Sequence, residues 1–123
     1  MAAIAPTITD VSRTGDNTAL LVQWAAVTES DTFAAVQFPD YSPVAVQVEG
    51  TFGASTTVLN GSLDGTNYHG LSDLSGTAIS FTASGYQSVR DQPIQIQPSA
   101  SGGTAQSITV SLLFVHRATR LSR

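Results

Sequence analysis

His69 and His116 are the two histidines of this chain, and no other side-chain type has an ordinary pKa between about 5 and 8. Acid–base chemistry at neutral pH would have to begin with them. His69 follows a turn and His116 ends a strand-like run, both ordinary places for a surface histidine. A Ser-His-Asp set can always be drawn in a serine-rich chain. Here no serine occupies a Gly-x-Ser-x-Gly elbow, so no catalytic residue and no enzyme activity are expected. Metal-ligand chemistry concentrates in one loop, where Asp64, Asn67 and His69 are followed by Asp73. Calcium requires several converging oxygens, whereas Asp-Gly-Thr-Asn is accounted for as turn chemistry; neither metal nor cofactor is expected. Tyr41, Tyr68 and Tyr86 lie in or beside loops, where each ring is able to stack on a sugar or pack against a partner protein.

Composition narrows the function classes. The chain has 123 residues, a formal net charge of −4, no cysteine and only 11% charged residues. That length suits one domain, and the absence of cysteine removes disulfides and thiolate sites. Low charge, with no basic patch interleaved with aromatics and no phosphate loop of Walker type, argues against nucleic acid as a partner. The opening residues lack the basic and apolar regions of a signal peptide, and no apolar run approaches a membrane span. The expectation is a soluble protein made in a cytoplasm, with no membrane partner. Three of the five basic residues, Arg117, Arg120 and Arg123, fall in the last seven positions.

The elements that position these groups read as strands throughout. Residues 44–71 read as the central unit: a strand with Val44, Val46, Val48 and Phe52 on one face, a small-residue turn at 53–55, and a second strand. Asp64-Gly65 closes the latter as a type I′ hairpin signal. Before this central hairpin, residues 18–26 alternate with Leu20, Val22 and Trp24 on one face and Leu21 and Gln23 on the other. Trp24 reads as a core anchor with its N–H bonded to backbone. A further strand is predicted over 32–38, then a surface loop over 39–43, because two prolines four apart do not fit inside a sheet. After the hairpin, Ile79 and Phe81 point inward. Residues 92–98 read as an edge strand bounded by Pro93 and Pro98, and 99–104 as a flexible loop. In the last strand Ile108, Val110, Leu112 and Phe114 share a face. Leu113 and Val115 make the end of that strand apolar on both faces, which predicts a covering element or subunit. Roughly eight short strands with regular turn signals specify an all-β antiparallel β-sandwich or jelly roll. Residues 1–6 read as a flexible arm, 7–116 as the sandwich domain and 117–123 as a basic tail. The tail's arginines, with Leu113 and Val115, are expected at an interface with a second copy or another protein.

From Val46 onward the sequence resembles a known group. Val48-Glu49-Gly50-Thr51-Phe52-Gly53, then Leu59-Asn60-Gly61-Ser62-Leu63-Asp64-Gly65-Thr66-Asn67-Tyr68, is similar to small tailed-phage virion proteins with a VxGTFGG…LxGSNDGTNW pattern. Residues 76–83, 93–98 and 101–103 continue the match in order. Leu63 stands where the pattern has Asn and Tyr68 where it has Trp, which removes the basis for carrying over an aromatic-stacking role. The same GS-x-DGTNW turn recurs in discoidin-like jelly rolls that bind sugar or lipid. The resemblance implies a structural virion protein, foremost a capsid decoration (cement) protein on the outer surface of the head. Its implied partners are the major capsid protein and further copies of itself, as dimer or trimer. A carbohydrate-binding module of a tail or head fibre, contacting glycan through the loop tyrosines, is the alternative.

Overall fold

Alternation of β-branched and polar residues, broken by glycine and proline, produces strands and nothing else in the computed structural model, which describes residues 2–12, 15, 18–28, 30–38 and 40–116. Among them are twelve strands and no helix: β1 (Ala2–Ile4), β2 (Thr7–Asp10), β3 (Ala19–Val27), β4 (Asp31–Phe33), β5 (Val36–Gln37), β6 (Tyr41–Thr51), β7 (Thr56–Ser62), β8 (His69–Gly70), β9 (Ser80–Phe81), β10 (Gly85–Ser88), β11 (Gln95–Ser101) and β12 (Ser107–His116). The excess over the expected eight consists of two- to four-residue pieces. The strands form two five-stranded antiparallel sheets. One has the order β10-β6-β12-β3-β2; the other runs β5-β11-β7-β8, with β9 also pairing β7. Their facing side chains make a single core that includes Val22, Trp24, Val46, Val48, Phe52, Ile108, Val110, Leu112 and Phe114, opposite Leu59, Ile79, Phe81 and Ile96. This is the all-β sandwich that the alternation specifies.

Pairing departs from the sequence reading at its centre. The strands flanking residues 53–55 are not a hairpin: β6 pairs β12 and β10, whereas β7 pairs β11, β8 and β9 in the other sheet. The turn is an arch between layers. Gly53 and Ala54 both have positive φ, 56° and 68°, and the Ser55 N–H donates to the Phe52 carbonyl at 2.9 Å. The left-handed pair expected at Asp64-Gly65 therefore occurs here instead. Beside it runs the second arch, from β11 to β12, joined by a hydrogen bond from the Thr104 N–H to the Gly53 carbonyl at 3.0 Å.

Local irregularities reset which residues face inward. Register shifts between Leu113 and Phe114, whose partners on β6 are Ala45 and Pro43. This bulge at Val44 leaves that residue 40% exposed while Val46 and Val48 are buried, so Val44 does not share their face. It also lets Pro43 sit inside a strand, because a bulge frees the residue from donating to the ladder. Pro39 lies outside the described residues. A second bulge, between Ile108 and Val110 opposite Val27 and Trp24, keeps Trp24 and Val27 both inward although they are three apart.

Two more corrections concern strand ends. The run 32–38 is not one strand but β4 and β5, and β4 joins neither large sheet. It pairs in parallel with β1, and Ile4 packs against the core, so Ala2–Ile4 is held rather than a loose arm. The strand ending at Pro98 instead continues to Ser101 and is interior to its sheet. Leu59 accepts a bond from the Leu71 N–H, so Leu59 faces away from its partner Pro98. Pro98 thus directs its missing donor to the side where β5, paired only at Gln95 and Ile96, has already ended.

Candidate partner-binding surface

Strand β12 is the middle strand of its sheet, so its outward residues lie at the centre of that sheet's solvent side. Cross-strand partners share a face, and the registers set out the rows. Leu113 stands opposite Ala45 on β6 and Leu21 on β3, with Ser88 beyond Ala45. Val115 stands opposite Ala19 and Ser42. The next row in the other direction is polar: Ser111 lies between Gln47 and Gln23, and Tyr86 beyond Gln47. Gln23 Nε2 donates to Ser111 Oγ at 3.0 Å and Gln47 Nε2 to Glu49 Oε2 at 3.2 Å. Leu21, Leu113 and Val115 are half-buried, and Tyr86 is 66% exposed. A shallow recess of about 110 Å³ opens between Leu21, Ala45, Tyr86 and Leu113. A larger one of about 370 Å³ lies between Pro43, Val44, Leu74 and Val115. The face is apolar along its middle, uncharged in its central rows, and rimmed by amide and hydroxyl groups together with Glu49 and Arg90.

Of the sequence-predicted contact residues, this face brings together Leu113, Val115 and Tyr86. Tyr41 lies instead at the end of the sandwich, its ring edge-on to Phe38 and His116 with centroids 5.9 and 5.0 Å away. Tyr68 is on the other sheet's side, where its hydroxyl donates to Gln95 Oε1 at 2.8 Å. Arg117, Arg120 and Arg123 lie outside the described residues. Sequence reasoning did not single out Leu21 and Ala45 as members of this face. The signal was present: Leu20-Leu21-Val22 is apolar on both faces, as 112–115 are, and the two stretches are paired.

The Asp64 loop is built by its own carboxylate. Oδ1 accepts hydrogen bonds from Ser62 Oγ, the Thr66 N–H and the Asn67 N–H at 2.8, 2.9 and 2.9 Å, and Oδ2 accepts from Asn67 Nδ2 at 2.9 Å. That arrangement replaces the two-residue turn expected here: only Gly65 of the pair has positive φ, at 76°, and the loop spans residues 63–68. An aspartate side chain bonded to the backbone ahead of it competes with ladder pairing. Among the described residues, no three His, Cys, Asp or Glu side chains come together as a metal site. A cleft of about 460 Å³ beside the loop is walled by Leu63, Asp64, His69, Leu71, Asp91 and Pro93.

The Asn67 backbone N–H, then that of Thr66, then the side chains of Asn67 and Ser62, hold the Asp64 carboxyl far below the usual carboxylate range. A folded-state pKa below the unfolded value of about 3.9 means that the stabilisation is complete above that value and is lost as pH falls toward the folded one. The carboxyl is open to solvent, so the effect is local. Amide exchange should show it: Asp64→Ala is expected to speed exchange at Thr66 and Asn67 severalfold at neutral pH, with little change in Tm. Unchanged exchange at both amides would mean that the carboxylate does not organise the loop.

No family model matches the chain, and no curated protein matches it in sequence. Among solved structures, Fe(II)-HppE with an alternative substrate aligns at a TM-score of 0.35 and 8% identity, over 87% of this chain and 55% of that one. BiXyn10A CBM1 in its apo form aligns at 0.29 and 15%, over 91% and 81%. Likeness at that level carries no argument. The crystal structure of the SPBc2 prophage-derived protein YomS aligns at a TM-score of 0.58 and 10% identity, covering 79% of this chain and 94% of YomS. The chain shares its fold with that prophage-derived protein.

Proposed function

We propose that this chain is a non-enzymatic structural protein of a tailed-phage virion, a decoration protein that attaches to the outside of the head and stabilises its lattice. The observation that carries the reading is the outer face of β3, β12 and β6, where Leu21, Ala45, Leu113 and Val115 form an apolar strip with a polar margin. Interfaces are built in that way, apolar at the centre and polar at the rim. The fold shared with a prophage-derived protein and the motif resemblance from Val46 onward support the same reading. On it, the strip packs against the major capsid protein, and the arginines of 117–123 reach acidic groups of the shell. The glycan alternative calls for a stacking platform, and Tyr41, Tyr68 and Tyr86 stand at three separate places.

The test is occupancy on capsids stripped of the protein. Wild type is expected to rebind at hundreds of copies per head. Leu113→Gln, which keeps the strand but places an amide at the centre of the strip, is expected to weaken binding at least about tenfold, the equivalent of roughly 1.4 kcal/mol. Removing residues 117–123 should also weaken it, and added salt should then have less effect than on wild type, because the screened charges are gone. Wild-type occupancy by Leu113→Gln, with its fold intact, would refute the assignment of the strip.

A further inference from the structure

Strand β10 is one edge of its sheet, and its pairing determines which main-chain groups stay open. The Val89 N–H donates to the Val44 carbonyl at 2.9 Å. Alternate residues of an antiparallel strand direct both backbone groups to the same side, so Gln87 and Gly85 also face β6, opposite Val46 and Val48. Tyr86 and Ser88 therefore direct their N–H and C=O groups away from the sheet. One step further, the Arg90 N–H is taken by the Ser72 carbonyl at 2.9 Å, which closes the edge beyond Ser88. Natural edges are commonly blunted by charge or proline; Gly-Tyr-Gln-Ser has neither. Between the two open residues, Gln87 Oε1 is buried without a hydrogen-bond partner.

We propose that β10 pairs with β10 of a second copy, antiparallel about a two-fold axis at Gln87, so that the two five-stranded sheets become one continuous sheet. The open groups are self-complementary in this register. Tyr86 of each copy meets Ser88 of the other, and the two pairs exchange four main-chain hydrogen bonds. Gln87 then faces Gln87 across a non-hydrogen-bonded position, where Cα atoms are about 4.5 Å apart; with both side chains turned from their buried positions toward the axis, each amide can supply the donor that the other's Oε1 lacks. Each contact is matched by its symmetric counterpart, as an isologous interface requires. Arg90, whose outward side Ser72 already occupies, lies past the end of the paired segment, so no like charges meet. An unrelated extended strand would satisfy the main chain but not the glutamine pair, which is why the occupant is a second copy. The pairing uses the sheet edge, leaves the apolar strip open, and does not rest on the capsid reading.

The purified full chain, without capsids, is expected to sediment as a concentration-dependent dimer. Ser88→Pro removes an outward N–H while leaving the ladder to β6 intact, and should raise the dissociation constant at least tenfold with an unchanged circular dichroism spectrum. A wild type that is monomeric from micromolar to sub-millimolar concentration would overturn the proposal, as would a folded Ser88→Pro that dimerises normally. Should Ser88→Pro not fold, cysteine crosslinking decides. The chain has no cysteine, and the expected Cα separation at Gln87 is within disulfide range. Gln87→Cys should oxidise to a covalent dimer and Tyr86→Cys, offset from its own copy, should not. No dimer from Gln87→Cys, or equal yields at the two positions, would rule the two-fold pairing out.

Discussion

Replacing Trp24 by alanine is expected to destabilise the protein by about 3–5 kcal/mol, the range for truncating a buried aromatic and leaving a cavity. Trp24 is fully buried, sits edge-on to Phe33 with ring centroids 6.2 Å apart, and donates from Nε1 to the Ala34 carbonyl at 2.9 Å. It thus ties the β3 side of one sheet to the segment after β4, the short strand that pairs with the chain's first residues. Total stabilities of domains this size are about 5–15 kcal/mol, so the loss is a large share of the whole. Urea unfolding should register it as a lower midpoint at an unchanged slope. Trp24→Phe separates the two contributions: it retains most of the ring burial but leaves the Ala34 carbonyl unbonded, which costs about 1–2 kcal/mol. An alanine variant within 1 kcal/mol of wild type would show that Trp24 is not the anchor.

Gly53→Ala is expected to be nearly as damaging, by roughly 2–5 kcal/mol. Two causes add. The residue has φ of 56°, and a left-handed conformation costs a non-glycine residue about 1–2 kcal/mol. A Cβ there would also lie 1.9 Å from the Thr104 carbonyl oxygen, so the two arches must separate, an overpacking penalty of about 1–3 kcal/mol. The neighbouring position isolates the first cause. Ala54 already carries φ of 68° and is exposed, so Ala54→Gly should be neutral to stabilising by up to about 1 kcal/mol. Equal and small effects at both positions would mean that the arches are not in contact. Thermal or urea unfolding of the two variants side by side provides the check.

The class of structure and most of the core were legible in the residues alone. Period-two alternation over 18–24 and 108–114 sets which side chains leave water. That burial does not depend on which strand lies alongside, so Trp24, Val46, Val48, Phe81, Ile108 and Leu112 were legible. So was the two-faced apolar end at Leu113 and Val115, because it is a local departure from the period. Which strands are neighbours is a matter of long-range packing. Ladder hydrogen bonds are made by the backbone, which is the same at every residue, so nothing in 44–62 distinguishes a hairpin from an arch between sheets. The place of β12 at the centre of its sheet follows from the chain's path, and that place gathers Leu21, Ala45, Leu113 and Tyr86 onto one face while separating Tyr41 and Tyr68 from it. Bulges at Val44 and between Trp24 and Val27 shift facing by one residue, and a period count cannot foresee an inserted residue. Asp64-Gly65 carried the composition of a tight turn, yet the carboxylate found three donors ahead of it in a longer loop. The open edge at Tyr86 and Ser88 depends on where β6 lies and where Ser72 closes the strand. Those contacts are long-range, and no stretch of sequence contains both sides of them.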